Sequence, residues 1–456
     1  MLNGLRFFAR SVWYDIRKGL LARPLAIMAC YGAFAGLAVY TERTVPAITA
    51  FVQQRSWLAS LDAGAAQLIL ATIAGSMMTT VSVVFSVMIM ALSLASIQFS
   101  PRILRNFMAD GPTQNTLGVF VGTFLYCLLV LGTVHGGARG FVPAASVAGG
   151  MVLAAGALVW LIFFIHHIAE GINANHIVER IGDETIEIID EEFPIAVGRA
   201  DSHPEDTGPP PPPPLEAAAV EATASGYVQL INRERLVELA TRHGVVIYQQ
   251  HGIGEFAVEG NPLVSIVPPD RLTDELRRAC LECFDLGAFR TMQQDVHYGI
   301  RQIVDVGLKA TSAAVNDPTT ANTCIDQLGR VLCHLARRRI LPLEMRDPAS
   351  GELRMVRRAV TFQGSVDLAF NQLRQYGRND MAVCLRMVRA LTEIALVTDH
   401  PPHQERTLHH ARLIESAVGP QFPPEDRQEL ANRLRTLEAI VAAHRPKPRA
   451  IASADA

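Results

Sequence analysis

The chain has 456 residues, of which 49% are hydrophobic, and a formal net charge of −3. This charge, and the lack of a basic stripe interleaved with aromatic residues, argue against a nucleic-acid partner. Its seven cysteines form no disulfide framework and fit a reducing compartment for the soluble part. Apolar residues crowd into the first third, which predicts a membrane domain followed by a soluble domain.

The first 23 residues predict a basic amphipathic helix that lies on the membrane surface. Apolar residues recur there with a helical period, and Arg6, Arg10, Arg17 and Lys18 flank them. A secretory signal is not expected, because no small-residue cleavage site follows.

A four-span transmembrane domain is predicted over residues 24–192. Its apolar segments can cross a hydrocarbon core of about 30 Å as helices. They lie at about 24–41, 67–99, 117–134 and 146–165. No Asp, Glu, Lys or Arg falls within these segments, which argues against a proton-coupled pump. Gly118 and Gly122, like Gly32 and Gly36, have the spacing that permits close helix packing.

The second span, 67–99, contains no charge and no proline, so it can form one helix of roughly 50 Å. Its small hydroxyl residues fall near one helical face, and we call them the hydroxyl stripe. They are Ser76, Thr79, Ser82, Ser86, Ser93 and Ser96. The stripe either packs against another helix or lines a wet path. We expect a homo-oligomer built around this helix.

The distribution of basic residues predicts that both termini lie in the cytoplasm. Seven basic residues fall on the leading segment and the second connection, namely Arg6, Arg10, Arg17, Lys18, Arg23, Arg102 and Arg105. Three fall on the opposite side, namely Arg43, Arg55 and Arg139.

The rest of the chain predicts a cytosolic α+β domain. Residues 193–225 contain the proline run 209–214 and predict a disordered or polyproline linker. A small β-containing module is expected over 226–268, a helical bundle over 269–446 and a frayed tail over 447–456. The expected fold class is mainly α, with a four-span transmembrane helical domain and this cytosolic domain.

Several segments, in this order, resemble one known family. They lie at 76–107, 117–131, 164–172 (FIHHIAEGI), 226–231 (GYVQLI) and 294–329. Together they resemble a family of bacterial predicted membrane proteins that is named only as a domain of unknown function (DUF2254). The resemblance implies a protein of the bacterial inner membrane, and it implies no substrate, reaction or catalytic residue.

Three residues at the end of the fourth span could bind a metal ion. His166 and Glu170 are four residues apart and share a helix face, with His167 beside them. Two ligands do not close a metal site, so an interfacial or pH-sensing role is the alternative. We expect no metal and no other cofactor.

A site for a small anionic ligand is a second possibility in the soluble part. Asn316, Asp317 and the following proline are typical of a helix start, with Asp317 as the N-cap. In the alternative interpretation, the free amides of this helix start bind an anion, with Arg301 or Lys309 nearby.

Enzyme motifs are missing from the sequence, and we therefore expect no catalytic activity. GxSxG, HExxH, P-loop and GxGxxG patterns do not occur in a supporting context. The leading hypothesis is a homo-oligomeric channel-like or transport-associated protein in the lipid bilayer, regulated by its cytosolic domain. The alternative is a membrane-anchored sensor or scaffold whose soluble domain binds a small anion or a protein.

Overall fold

The computed structural model describes most of the chain. It divides into two compact units, and the boundary along the chain lies between Asn173 and Ala174. The described residues are 22–45, 61–98, 111–136, 141–171, 173–194, 211–340, 342–347, 349–358 and 360–444. We call the described part up to Asn173 the membrane unit and the part from Ala174 the C-terminal domain. Residues 1–21 of the predicted amphipathic helix and the predicted tail lie outside the described residues.

The membrane unit contains four helices that are long and apolar enough to cross a membrane. They are α1 (Ala22–Thr44), α2 (Ala63–Gln98), α3 (Gly111–Leu131) and α4 (Ala144–Gly171). Together with the C-terminal domain described below, they confirm the predicted fold class. Each helix extends a predicted span at its amino-terminal end. In α1 and α3 the first turn contains a proline, Pro24 and Pro112, which the start of a helix tolerates.

Helix α3 lies at the centre of the membrane unit. Within its apolar window 50% of the residues are buried, against 17% for α1 and α4 and 12% for α2. Two glycines of α3 explain this position. A Cβ atom on Gly118 would lie 2.8 Å from Cδ1 of Ile27, and one on Gly122 would lie 2.8 Å from Cγ of Tyr31. Only glycine therefore allows α1 to approach α3 this closely.

The glycine contact yields a prediction with a matched control. Gly122→Ala should lower the free energy of unfolding by about 1–3 kcal/mol, because the added methyl group overlaps the Tyr31 ring. Gly36→Ala should leave it unchanged or raise it by up to about 1 kcal/mol, since nothing lies within 4 Å of the new Cβ. Thermal unfolding in detergent micelles, followed by circular dichroism, measures both. Equal effects of the two substitutions would contradict the close contact.

The C-terminal domain begins with α5 (Ala174–Glu192), which the sequence analysis included in the transmembrane domain. Its apolar residues do not surround the helix but form one buried face that includes Ile177, Ile181 and Ile189. An amphipathic helix of this kind packs on a folded domain. The boundary between the two units therefore lies before α5 and not after it.

Strands and helices alternate in the remainder of this domain. In chain order they are β1 (Ala218–Glu221), β2 (Gly226–Ile231), α6 (Arg233–His243), β3 (Val246–Gln249), β4 (Phe256–Ala257), β5 (Pro262–Val267), a 3₁₀ turn (Pro269–Arg271), α7 (Asp274–Leu281), β6 (Phe284–Gly287), α8 (Val296–Ala310), α9 (Pro318–Ala336), β7 (Glu344–Arg346), β8 (Leu353–Val356), α10 (Phe362–Gly377), α11 (Met381–Val397), α12 (Pro401–Ala417) and α13 (Pro424–His444). Helices α8 to α13 form the helical bundle, and α5 packs against α8 and α9.

The strands form two sheets, with the orders β1-β5-β3-β8-β7 and β4-β2-β6. Strand β3 pairs in parallel with β8, and all other pairs are antiparallel. Strand β1 lies within the predicted linker 193–225, where Val220 is buried opposite Val264. Strands β6, β7 and β8 lie within the region 269–446 that was predicted to be helical. Their short length hides their period, and β8 pairs with β3, whose residues lie about a hundred positions earlier in the chain.

Candidate functional site

The hydroxyl stripe lies on the outer surface of the membrane unit. Its described members Ser76, Thr79, Ser82, Ser86 and Ser93 are exposed, and the side chain of Ser96 lies outside the described residues. The opposite face of α2 carries Leu70, Ala74, Met77 and Val84, which are buried against the other helices. Among the described helices of a single copy, the stripe is therefore not a packing seam.

Three hydroxyl groups of the stripe donate to the backbone of their own helix. Thr79 Oγ1 donates to Gly75 O at 3.1 Å, Ser82 Oγ to Met78 O at 3.1 Å and Ser86 Oγ to Ser82 O at 2.8 Å. A hydroxyl oxygen has one proton to donate and two lone pairs that accept. Since these three protons are used within the helix, Thr79, Ser82 and Ser86 present acceptor oxygens on the outward surface.

A buried carboxylate joins two helices of the membrane unit. Glu42, near the end of α1, is 8% exposed. Its Oε1 accepts from Ala145 N at 2.8 Å, and its Oε2 accepts from Ser146 N at 2.9 Å and Ser146 Oγ at 2.8 Å. Glu42 thus caps the first turn of α4, where unpaired amides and the helix dipole favour negative charge.

The sequence analysis missed Glu42, because it placed this residue just outside the first span. Two signals could have found it. The residues after Thr41 contain no helix breaker until Pro46, so α1 can continue for another turn. The start of α4, Val142-Pro143-Ala144-Ala145, has no Ser, Thr, Asp or Asn to cap it. A helix that lacks its own cap needs a hydrogen-bond acceptor from another part of the chain for the free amides of its first turn.

Replacing Glu42 should loosen the contact between α1 and α4. Glu42→Gln removes the charge and one acceptor oxygen, so we expect the free energy of unfolding to fall by about 1–3 kcal/mol. Glu170→Gln is the control, since Glu170 is 58% exposed and should change it by no more than about 0.5 kcal/mol. The midpoint of unfolding by added sodium dodecyl sulfate measures both variants. A control that is as damaging as Glu42→Gln would contradict the proposed cap.

The metal candidates lie at the end of α4. His166 Nε2 is 3.2 Å from Glu170 Oε1, and both side chains are more than half exposed. The His167 ring stacks on Phe163 with 6.2 Å between the ring centroids. Over the described residues, no three His, Cys, Asp or Glu side chains are grouped to hold a metal ion. The described geometry is therefore that of an exposed surface pair.

The predicted anion-site residues are not gathered at one point. Arg301 contacts Asp305 Oδ1 at 3.0 Å and donates to Gln372 Oε1 at 2.5 Å. Asp317 N donates to Ala310 O, which places Asp317 at the carboxyl end of α8. Arg301 lies nine residues before Ala310 on α8, which separates the two positions by roughly 13 Å along the helix axis. Lys309 lies in the last turn of α8, close to the loop that leads to Asp317.

Asp317 itself acts as a helix cap. Its carboxylate accepts from the Thr320 hydroxyl at 2.6 Å and from Thr320 N at 3.0 Å, and these bonds lower the pKa of Asp317. Asn316 adopts a left-handed conformation with φ of 49° and leads the chain into α9. The amide that the predicted anion would use is thus bonded to the cap.

An ion pair with a buried carboxylate, and a partly buried histidine, lie before and within the first turn of α8. Asp295 is 2% exposed, accepts from Arg290 Nε and Nη2 at 2.9 Å each, and caps α8 through Tyr298 N. Burial raises the pKa of Asp295 even though Arg290 opposes the shift. Burial also lowers the pKa of His297 to about 4, so this ring is neutral at neutral pH. The sequence analysis singled out neither residue.

The apolar helices and the folded C-terminal domain together define a predicted membrane protein with several spans. The chain belongs to the family described as predicted membrane protein (DUF2254), whose model matches residues 17–393. The resemblance found in the sequence is thereby confirmed.

Three mycobacterial proteins are similar to this chain. The uncharacterized protein Rv1290c of Mycobacterium tuberculosis is 30% identical over 368 residues, which cover 79% of this chain and 70% of the relative. The uncharacterized proteins Mb1321c of Mycobacterium bovis and MT1328 of another M. tuberculosis strain match with the same identity and coverage. No solved structure matches the chain significantly.

Proposed function

We propose that this protein forms a homo-oligomer in the bacterial inner membrane and that α2 lines a channel-like path for a small ion. In this proposal the C-terminal domain lies in the cytoplasm and regulates the path. The observation that carries the proposal is the outward position of the hydroxyl stripe on a charge-free helix of 36 residues. The proposal includes no catalytic reaction.

The chemistry of the stripe supports an ion path. Each bonded hydroxyl donates its proton to the helix backbone, so its exposed lone pairs can only accept a hydrogen bond. Lipid chains carry no hydrogen-bond donor for these lone pairs. In a homo-oligomer the same oxygens can face water or a partly dehydrated cation. The lack of charged residues along α2 favours passive permeation over a proton relay, which needs titratable groups.

The arginine distribution supports the orientation. Seven basic residues on one side of the predicted topology, against three on the other, favour a cytoplasmic amino terminus. Four spans then return the chain to the same side, where the C-terminal domain would lie. This arrangement lets a cytoplasmic signal act on the membrane helices.

The alternative function is a membrane-anchored sensor or scaffold. It is favoured by the same hydrogen bonds, because a hydroxyl that donates within its own helix can face lipid or a neighbouring helix at low cost. In this case the stripe is a seam between copies, and the C-terminal domain performs the function by binding a small anion or a protein.

Single-channel recording separates these two functions. Purified protein in a planar bilayer should give discrete current steps, and Ser86→Trp should abolish them, because the indole fills the path. Phe85→Trp is the control. Phe85 is 43% exposed and lies at the same depth on the helix, but it is turned about 100° away from Ser86.

The oligomeric state of the two variants completes the test. Loss of current in Ser86→Trp with an intact oligomer, and normal current in Phe85→Trp, support the channel. The absence of current steps from the unmodified protein, over a range of voltage and of monovalent and divalent salts, contradicts the channel. Dissociation of the oligomer in Ser86→Trp alone indicates the packing seam of the alternative.

A further inference from the structure

The two parallel strands of the C-terminal domain end side by side. Ile247 of β3 is in register with Met355 of β8, and Tyr248 is in register with Val356. Gln249 is the last residue of β3, and Arg357 directly follows the last residue of β8. The carboxyl ends of neighbouring parallel strands commonly form the crevice that receives a ligand in α/β folds.

Both side chains point toward helix α6. Ile247 and Met355 lie in the core that also contains Leu236 of α6. Because side chains alternate along a strand, Gln249 and Arg357 project to the same side as these two residues. Each is only 5% exposed, so both polar groups lie inside the domain.

Two arginines and one glutamate meet at this place. Arg233, the first residue of α6, is 2.6 Å from Glu192 Oε2 through its Nη1. Burial, with the nearby charge of Arg233, lowers the pKa of Arg357 to about 10, although Glu192 opposes the shift. Arg357 Nε donates to Pro342 O at 2.9 Å. Arg233, Arg357 and Glu192 therefore lie close to one another at this end of the strands.

Two buried polar atoms at this place make no hydrogen bond to any described residue. The Nε2 group of Gln249 donates to His251 O at 2.7 Å, which fixes the orientation of the amide and leaves Oε1 as the acceptor. Gln249 Oε1 accepts no bond, and Arg233 Nε donates none. A buried polar group without a partner is energetically costly. A ligand that brings both a donor and an acceptor would remove both costs.

We propose that Gln249, Arg357 and Arg233 bind a small oxyanion that also carries a hydrogen-bond donor. Inorganic phosphate is the simplest ion of this class, because at neutral pH it keeps at least one P–OH group. Its negative oxygens suit the two arginines, and its hydroxyl suits Gln249 Oε1. This site is contained within the C-terminal domain, so a test of it is independent of the test of the channel-like path along α2.

Phosphate and sulfate distinguish this site from a general attraction for anions. Sulfate has similar size and charge but carries no proton at neutral pH, so it offers nothing to Gln249 Oε1. Isothermal titration of the full chain in detergent, at pH 7 and constant ionic strength, should show saturable phosphate binding. We expect the dissociation constant for phosphate to be at least ten times lower than that for sulfate.

Variants assign the binding to the named residues. Gln249→Leu should weaken phosphate binding to the level of sulfate, and Arg357→Met should weaken the binding of both anions. Arg358→Met is the control, since Arg358 follows on the opposite face, is 44% exposed and lies 3.7 Å from Glu255. It should leave both dissociation constants unchanged.

Three results would overturn the proposal. They are the absence of saturable phosphate binding by the unmodified protein, equal affinity for phosphate and sulfate, and unchanged phosphate affinity in Gln249→Leu. Gln249→Leu keeps the size of the side chain and removes no charge. It therefore keeps the test decisive if Arg357→Met fails to fold because Glu192 loses a partner.

Discussion

The close approach of α1 to α3 sets the arrangement of the membrane unit. Gly118 and Gly122 leave no side chain between the helices, so Ile27 and Tyr31 reach the α3 backbone. Helix α3 is covered on this side by α1 and on its other sides by α2 and α4. Helix α2 then lies at the edge of the unit, with one face buried and its hydroxyl stripe outside.

Charge is used differently in the two units. In the membrane unit a single buried carboxylate, Glu42, satisfies the amides at the start of α4. In the C-terminal domain buried charges come in groups, such as Arg290 with Asp295 and the three charges around Gln249. The first carboxylate has all its hydrogen bonds within the protein and stabilises the fold. The group around Gln249 keeps polar atoms without partners, and this difference distinguishes a structural site from a candidate ligand site.

The sequence predicted what depends on local patterns. The four spans follow from hydropathy, the stripe from helical period, and the Asp317 cap from the residues around one helix start. It did not predict the cap that Glu42 provides, because Glu42 and Ser146 are about a hundred residues apart. For the same reason it missed the pairing of β8 with β3 and the neighbouring positions of Gln249 and Arg357. Their importance arises from strand pairing, which a single sequence does not reveal.

The central claim is that the hydroxyl stripe of α2 faces α2 of another copy of the chain, and cysteine cross-linking in membranes tests it most directly. The starting protein should carry Cys30→Ser, because Cys30 is exposed on α1 and could itself cross-link. With Ser86→Cys added, mild oxidation should join copies of the chain, whereas Phe85→Cys at the same depth should give little product. Efficient cross-linking through Phe85→Cys together with none through Ser86→Cys would contradict the account.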